Sequence, residues 1–175
     1  MMDRLIETER LIVRRFRSDD AQRLYEIHLE DGVRKWIPNE SYADVEEAND
    51  AIRFFDDCVD QDHLPFVLAV ELRETGELIG DVGVNEVEGK PEDVEIGYVI
   101  CEKCSGKGYA TELIHAAMEY FIAKFGIKTV YGRVMKGNFA SIRVLEKNGY
   151  TFVKEEYGAE DDPYGSGMLV YRKEY

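Results

Sequence analysis

The sequence is poor in cysteine and contains no long apolar run. Its 175 residues include only three cysteines, Cys58, Cys101 and Cys104, which are too few for a framework of disulfides. A membrane-spanning helix needs about 20 consecutive apolar residues, and no segment approaches that length. Charged residues also occur within positions 1–7, where a secretory signal would become apolar. We therefore expect a cytoplasmic protein with no membrane partner.

Basic residues are scarce as well. Lysine and arginine total 22, against 36 aspartates and glutamates, so the formal net charge is -14 at pH 7. A nucleic-acid partner is not expected, because phosphate backbones are bound through a basic surface. The negative field instead favours a cationic partner such as an amine. Hydrophobic residues make up 45% of the chain, which suffices for one globular domain over residues 1–175.

Cys101 and Cys104 form a Cys-x-x-Cys pair, a spacing that occurs in zinc and redox sites. A structural zinc site needs two more ligands at matching spacing, and the sequence has neither a second cysteine pair nor two histidines close together. A redox pair would open a helix, whereas this one follows a strand pattern. We therefore predict no metal site.

Hydrophobic periodicity and turn residues predict an α/β (α+β) chain without repeats or linkers. Strands are expected at 7–17, 65–72, 78–87, 94–100, 128–135, 150–156 and 167–175. Helices are expected at 18–29, 44–60, 108–125 and 138–148, with a short helical piece at 33–37 and an acidic loop at 158–166. This order indicates a mixed sheet with helices on both faces, in which the helix at 108–125 crosses between parallel strands.

A glycine-rich turn joins the strand at 94–100 to that helix. Gly106 and Gly108 have no Cβ atom, so their amides can approach a ligand closely. A turn of this kind directs unpaired N–H groups and the positive end of a helix dipole at one point, which is typical of a phosphate site. A P-loop is ruled out because Gly108 follows Lys107 where serine or threonine is required. A dinucleotide site would need glycine or alanine in place of Thr111 and an acidic residue about 20 positions further on. A tight strand–helix connection without a ligand remains the alternative.

Two segments together resemble one family. Residues 103–108 resemble the pyrophosphate loop of the GNAT acetyltransferases, Gln/Arg-x-x-Gly-x-Gly/Ala, with Lys103 in the first place. Residues 138–150 resemble the short-helix segment Asn-x-x-Ser-x-x-x-x-x-Lys-x-Gly-Phe/Tyr of the ribosomal-protein N-terminal (alanine) acetyltransferase branch. The resemblance implies the GNAT fold, a mixed and mostly antiparallel sheet of six to seven strands with a splayed strand pair at the cofactor site.

The resemblance also implies acetyl-CoA as co-substrate. Its pyrophosphate would bind the backbone amides of residues 106–110, with Lys103 and Lys107 supplying positive charge. Its pantetheine amides would pair with the strand end at 99–101, and Asn138 and Ser141 would face the thiol. The full set of cofactor-binding residues implied is Val99, Ile100, Cys101, Lys103, Cys104, Ser105, Gly106, Lys107, Gly108, Tyr109, Ala110, Thr111, Asn138 and Ser141.

The reaction implied is direct transfer of the acetyl group to a primary amine. Many relatives protonate the departing thiolate with a tyrosine in the short helix, but Leu145 stands at that position, so we assign this role to Ser141. A hydrogen bond that only supports the helix start is the other role open to Ser141. Glu95 is the expected base for the amine, unless it forms a purely structural contact. Its rivals are Asp81, Asn85 and Glu86, whereas the three histidines have no motif context.

The predicted activity is therefore that of an acetyl-CoA-dependent N-acetyltransferase, monomeric or homodimeric. The branch resemblance favours a protein N-terminus as the acceptor. A small-molecule amine of the polyamine, amino acid or antibiotic type is the alternative, and a non-catalytic acetyl-CoA-binding regulatory protein is a further one.

Overall fold

The computed structural model describes residues 3–158, 165 and 167–175. Its strands are β1 (Arg4–Glu7), β2 (Leu11–Arg14), β3 (Phe66–Leu72), β4 (Leu78–Val87), β5 (Lys90–Ile100), β6 (Thr129–Met135), β7 (Thr151–Glu156) and β8 (Met168–Glu174). Its helices are α1 (Ala21–Leu29), α2 (Asp31–Arg34), α3 (Val45–Asp60), α4 (Tyr109–Phe125) and α5 (Phe139–Lys147). Most of the loop predicted at 158–166 lies outside the described residues.

The strands form one sheet in the order β1-β2-β3-β4-β5-β6-β8-β7. Neighbours run antiparallel except β5 and β6, which are parallel and are connected through α4. The mixed, mostly antiparallel sheet is thereby confirmed. Within the described residues the sheet has eight strands, not six or seven, because residues 4–14 supply two.

A hairpin opens the chain in place of the single strand predicted at 7–17. Thr8 causes the reversal: its backbone N–H donates to the Leu11 carbonyl oxygen and its hydroxyl accepts from the Leu11 N–H, both at 2.9 Å. Every residue of β2 is buried, including Arg14. The alternation in the sequence therefore does not mark a strand with one exposed face.

Helices cover both faces of the sheet. Phe66 of β3 packs edge-on against Phe121 and Phe125 of α4, with ring centroids 6.0 and 5.1 Å apart. Its neighbour Val67 lines a cavity together with Phe55 of α3. Because successive residues of a strand point to opposite faces, α4 and α3 lie on opposite sides of the sheet.

Capping residues fix the ends of the helices. The Asp44 carboxylate accepts from the Glu47 N–H at 2.9 Å and starts α3, and Gly126 ends α4 in the left-handed conformation with φ 63°. Within the part of the chain that the structure describes, no helix is both long and apolar enough to cross a bilayer.

The parallel strands β5 and β6 separate part-way along their length. Their register ends at Ile96 and Gly132, although β5 continues to Ile100 and β6 to Met135. Among the described residues, the edge of β5 that faces β6 therefore has no strand partner from Gly97 onward. This opening is the predicted splayed pair, and it positions the site described next.

Candidate functional site

Two adjoining cavities lie at this opening. A groove of about 510 Å³ runs from the end of β5 past the glycine-rich turn to α5. A larger cavity of about 890 Å³ lies between β4, β5, β6, α3 and the segment after α2. The two share one wall, hereafter the shared wall, which consists of Trp36, Ile37, Tyr98, Val99, Asn138 and Ser141.

The glycine-rich turn lines the groove with backbone N–H groups that have no acceptor among the described residues. Gly106 and Gly108 have φ of 72° and 82°, the left-handed conformation that glycine adopts without a Cβ penalty. Gly108 is the N-cap of α4, and no side chain of the described residues caps the first turn of this helix. The first N–H groups of a helix have no intrahelical acceptor and carry the positive end of its dipole. The turn therefore has the backbone geometry and the charge that suit an anion.

Most of the predicted cofactor-binding residues line the groove. They are Val99, Ile100, Cys104, Ser105, Gly106, Gly108, Tyr109, Ala110, Thr111, Asn138 and Ser141.

Three predicted residues do not line it. Lys103 lies in the single helical turn at Glu102–Cys104, and its ammonium forms an ion pair with Glu77 of the β3–β4 connection. Cys101 is fully buried, and its N–H donates to the Ile79 carbonyl oxygen at 2.8 Å. The side chain of Lys107 also lies outside the groove wall.

Burial also removes the reactivity that a Cys-x-x-Cys pair suggests. Loss of solvation, together with a hydrogen bond to Cys104, raises the pKa of Cys101 to about 11. At neutral pH this side chain is therefore a thiol, not a thiolate. Among the described residues, no group of three or more potential ligands could hold a metal ion.

Arg10 holds the turn in place, although no sequence motif marks it. Its Nη1 donates to the Lys107 carbonyl oxygen at 2.9 Å and its Nε donates to the Glu112 carboxylate at 2.7 Å. The guanidinium carbon also lies 4.5 Å from the centre of the Tyr109 ring. These contacts connect the opening hairpin to the start of α4 and fix the orientation of the free amides.

Two cations stand at the side of the groove. Arg143 and Lys147 lie one turn apart on α5, are exposed and line the groove. Within the described residues neither takes part in an ion pair, although many other lysines and arginines do. In a chain with a net charge of -14, unpaired cations at this position make the groove locally attractive to phosphate groups.

The large cavity has the opposite character. A buried histidine, His28, lies between two acceptors: its Nδ1 is 2.7 Å from the Glu40 carbonyl oxygen and its Nε2 is 2.8 Å from Asp81 Oδ2. Only a doubly protonated imidazole donates to both. Burial works to lower the pKa of His28, but the charge of Asp81 and these hydrogen bonds outweigh burial and raise it.

Four further carboxyl groups line this cavity, those of Glu40, Glu47, Asp50 and Glu95. The Glu40 side chain is open to the cavity, but protein atoms surround it on most sides. Lost solvation therefore raises its pKa, and the charge of Asp81 raises it further. Lost solvation also raises the pKa of Glu95, against the opposing charge of Arg133. In the described part of the chain neither Glu40 nor Glu95 forms an ion pair, so each can still receive a cation.

A hydroxyl pair marks the shared wall. The Tyr98 and Ser141 hydroxyl oxygens are 2.8 Å apart, and the Ser141 N–H donates to Asn138 Oδ1 at 3.3 Å at the start of α5. Leu145, one turn further along α5, is buried and packs directly on Gly132 of β6. The predicted residues Glu95 and Ser141 thus belong to the same cavity, on β5 and α5.

Comparison with known proteins identifies the family. Residues 10–151 match the model of the acetyltransferase (GNAT) domain. The chain belongs to the GNAT acetyltransferase family. A relative in Bacillus subtilis (strain 168), the uncharacterized N-acetyltransferase YoaA, is 30% identical over 146 residues, which are 83% of this GNAT chain and 82% of YoaA. Membership makes the chain an N-acetyltransferase that takes the acetyl group from acetyl-CoA.

Solved structures share the fold. The ribosomal-protein-S5-alanine acetyltransferase of Vibrio fischeri superposes on the GNAT chain with a TM-score of 0.83 at 17% identity, over 96% of this chain and 94% of that one. RimL, a ribosomal L7/L12 α-N-protein acetyltransferase in complex with coenzyme A, gives a TM-score of 0.81 at 16% identity, over 98% and 97% of the two chains. Identities this low establish a common fold.

The groove of this GNAT enzyme suits acetyl-CoA. Free amides and cations at one end match the diphosphate, and the open edge of β5 offers backbone groups for the amides of the pantetheine arm. Tyr98, His28 and Arg10 were missed from the sequence. Tyr98 is the only one of these with a sequence signal, since it lies in the strand that leads into the glycine-rich turn.

Proposed function

We propose that this enzyme acetylates the α-amino group of a protein N-terminus. The size of the large cavity carries the proposal. Its volume of about 890 Å³ is near the top of the range for small-molecule pockets, about 300–1,000 Å³, and exceeds what a simple monoamine fills. The first residues of an extended chain would occupy it. The common fold with ribosomal-protein acetyltransferases also supports this acceptor.

The charge of the cavity supports a cationic acceptor. Glu40, Asp81 and Glu95 line it. Asp81 is paired with His28, whereas a protonated amine that enters would find Glu40 and Glu95 without an ionic partner among the described residues. Such an amine must lose a proton before it can attack the thioester. We assign this step to Glu95, because its raised pKa makes it a better base near neutral pH than an exposed glutamate.

The seat of the co-substrate follows from the groove. The backbone N–H groups of residues 106–110 would bind the diphosphate, and Arg143 and Lys147 would contact phosphate oxygens. Strand β5 at Val99 and Ile100 would bond the pantetheine arm. The thioester would then lie at the shared wall, where Asn138 and Ser141 meet the large cavity. In this arrangement the Ser141 hydroxyl reaches the departing sulfur.

A polyamine is the second candidate acceptor. The pKa of Glu40 is raised by burial first and then by the charge of Asp81, with His28 opposing and a smaller rise from Glu95, so two neighbouring carboxylates repel the charge of Glu40. A ligand with several ammonium groups would relieve that repulsion more fully than a single N-terminus.

Release of the coenzyme A thiol distinguishes these acceptors. The test compares peptides with free N-termini, the same peptides Nα-acetylated, polyamines, amino acids and aminoglycosides. We expect kcat/KM for the best free peptide to exceed that for any small amine by at least about tenfold, a difference of 1.4 kcal/mol, and no release with blocked peptides. A polyamine that outperforms every peptide would replace the proposed acceptor. Tight acetyl-CoA binding with no release for any amine would indicate a binding protein.

A further inference from the structure

Tyr98 is the only tyrosine among the described residues that lines both cavities. It lies on β5, next to the point where β5 leaves β6, and its side chain lines the groove and the large cavity alike. Its hydroxyl makes a hydrogen bond of 2.8 Å with the Ser141 hydroxyl across the shared wall. No established feature of the site requires a tyrosine on this strand.

The chemistry of the leaving group gives this phenol a use. Transfer of the acetyl group forms a C–N bond and breaks the C–S bond, and the electron pair of the latter stays on sulfur. An alkyl thiol has a pKa of about 8.5 and a phenol of about 10, so a phenol can protonate a thiolate with little loss of free energy. An aliphatic hydroxyl is a far weaker acid and protonates sulfur efficiently only if its own proton is replaced.

We infer that Tyr98 is the source of this proton and that Ser141 passes it on. As the C–S bond breaks, the Ser141 hydroxyl gives its proton to sulfur and takes the Tyr98 proton in the same step. The ammonium gives one proton to Glu95 before the attack, and its nitrogen gives a second to water of the large cavity as the C–N bond forms. Glu95 then releases its proton to that water and the Tyr98 phenolate takes one back, so the reaction releases one proton in all and both groups return to their starting state. The inference rests on the proposed position of the thioester at the shared wall.

The surroundings of Tyr98 and Ser141 keep the Tyr98 phenol protonated. Burial raises the pKa of Tyr98 above its ordinary value, while the bond to Ser141 works in the other direction. The phenol is therefore protonated through the neutral range. Leu145 cannot substitute for it, because its side chain is buried against Gly132 and carries no proton. Tyr98 does not contact the sulfur itself. It acts through Ser141, whose hydroxyl it orients and reprotonates.

The first test is Tyr98→Phe, with Tyr131→Phe as the matched control. Tyr131 lies on β6 and its hydroxyl contacts Lys90, away from both cavities. We expect Tyr98→Phe to lower kcat about 100-fold with KM for acetyl-CoA within about twofold, and Tyr131→Phe to change neither. The double variant with Ser141→Ala should be no slower than the slower single variant, because both changes remove one relay.

The second test keeps the shape of the residue. Site-specific 3,5-difluorotyrosine at position 98 lowers the phenol pKa and retains its hydrogen bond. The basic limb of the pH profile of kcat should move to lower pH, while His28, Glu40 and Glu95, the neighbouring groups of the large cavity, are unchanged. A thioester with a more acidic thiol should reduce the penalty of Tyr98→Phe.

Two results would overturn the inference. One is an unchanged kcat for Tyr98→Phe; the other is a basic limb that stays in place with difluorotyrosine. A loss of acetyl-CoA affinity in Tyr98→Phe equal to the loss of rate would assign Tyr98 a role in binding instead. Any of these leaves the proposed acceptor intact, since the wild-type enzyme would still release thiol. Failure of the wild type to release thiol with every amine would overturn both proposals.

Discussion

The imidazole Nε2 of His28 lies 2.8 Å from the carboxylate of Asp81. This contact joins α1 to β4 across the wall of the large cavity, and both side chains are largely withdrawn from solvent, with 4% and 14% of their surfaces exposed. The second ring nitrogen bonds the carbonyl oxygen of Glu40. The imidazolium of His28 therefore holds α1, β4 and the Glu40 backbone together, and both contacts require the ring to be doubly protonated.

The first prediction is a pH dependence of stability. Because the folded state raises the pKa of His28, the pair stabilises fully below the unfolded pKa of about 6.5, and its contribution is lost as the pH rises through the folded value. Asp81→Asn should lower the free energy of unfolding by about 3 kcal/mol at pH 5.5 and by less at pH 8.5, and NMR titration should show a lower His28 pKa. Asp50→Asn, which breaks an exposed pair with Arg53, is the control and should cost under about 1 kcal/mol at both pH values. An equal loss for Asp81→Asn at both would contradict this account.

The second prediction concerns Glu95. A base accepts a proton only when ionised, so kcat/KM should fall as the pH decreases through the raised pKa of this carboxyl. Glu95→Gln should lower kcat/KM about 100-fold and abolish the acid limb. Glu86→Gln, an exposed change on β4 outside both cavities, should leave the profile as it is. An acid limb that survives in Glu95→Gln would assign the base elsewhere.

The third prediction concerns the glycine-rich turn. Gly108→Asp places a negative charge and a Cβ atom at φ 82°, beside the free amides. Binding of acetyl-CoA, measured by calorimetry, should weaken at least about 100-fold, or 2.8 kcal/mol. Gly76→Asp imposes the same kind of strain at φ 73° in the β3–β4 connection and should leave affinity unchanged at a similar cost in stability. Equal affinities for the two variants would refute an anion site at this turn.

The fourth prediction concerns the free cations of α5. Each charged hydrogen bond to a phosphate contributes about 1.5–3 kcal/mol, so Arg143→Ala with Lys147→Ala should raise the Kd of acetyl-CoA at least tenfold at low salt, which is about 1.4 kcal/mol. The salt dependence of binding should also become weaker. The control is Arg53→Ala with Lys128→Ala, which removes the same charge from surfaces outside the groove. If both double variants bind alike, the effect is that of net charge alone.

The fifth prediction concerns packing behind the site. A Cβ atom on Gly132 would lie 2.8 Å from Leu145 Cδ2, so Gly132→Ala should lower the free energy of unfolding by about 1–3 kcal/mol. The control is Gly97→Ala on β5, where the Cβ position has open space around it, so no new overlap arises and the steric loss seen in Gly132→Ala should be absent. Trimming the neighbour with Leu145→Val should recover part of the loss in Gly132→Ala. No recovery would mean that the cost comes from the β6 backbone and not from this contact.

Local rules predicted much of the fold. Helices α3 and α5 begin after Asp44 and Asn138, whose side chains accept from backbone N–H groups of the first turn, and such capping is determined by neighbouring residues. The opening hairpin was missed because its reversal depends on one hydroxyl, that of Thr8, and because β2 is buried on both faces. Neither property produces a periodicity that differs from that of a single strand.

The residues of the site also differ in how far they could be predicted from neighbouring residues. The glycine-rich turn and Ser141 belong to contiguous motifs, so their place in the groove was predictable. Lys103 belongs to the same motif, but its partner Glu77 lies on another hairpin, and a choice between partners distant in sequence leaves no local signal. His28 is also paired with a residue far along the chain, and an isolated histidine in an amphipathic helix is indistinguishable from an ordinary core position.

Within the described chain, the separation of β5 from β6 leaves unpaired strand edges in the interior of the sheet and not at its outer edge. In the proposed arrangement the folded chain binds acetyl-CoA beside this opening, whereas the unfolded chain has no groove to bind it. Mass action then adds about 2.7 kcal/mol to the stability of the fold when the ligand stands at 100 times its Kd. The abundance of the folded enzyme, and its survival against proteolysis, thereby rise and fall with the acetyl-CoA pool around it.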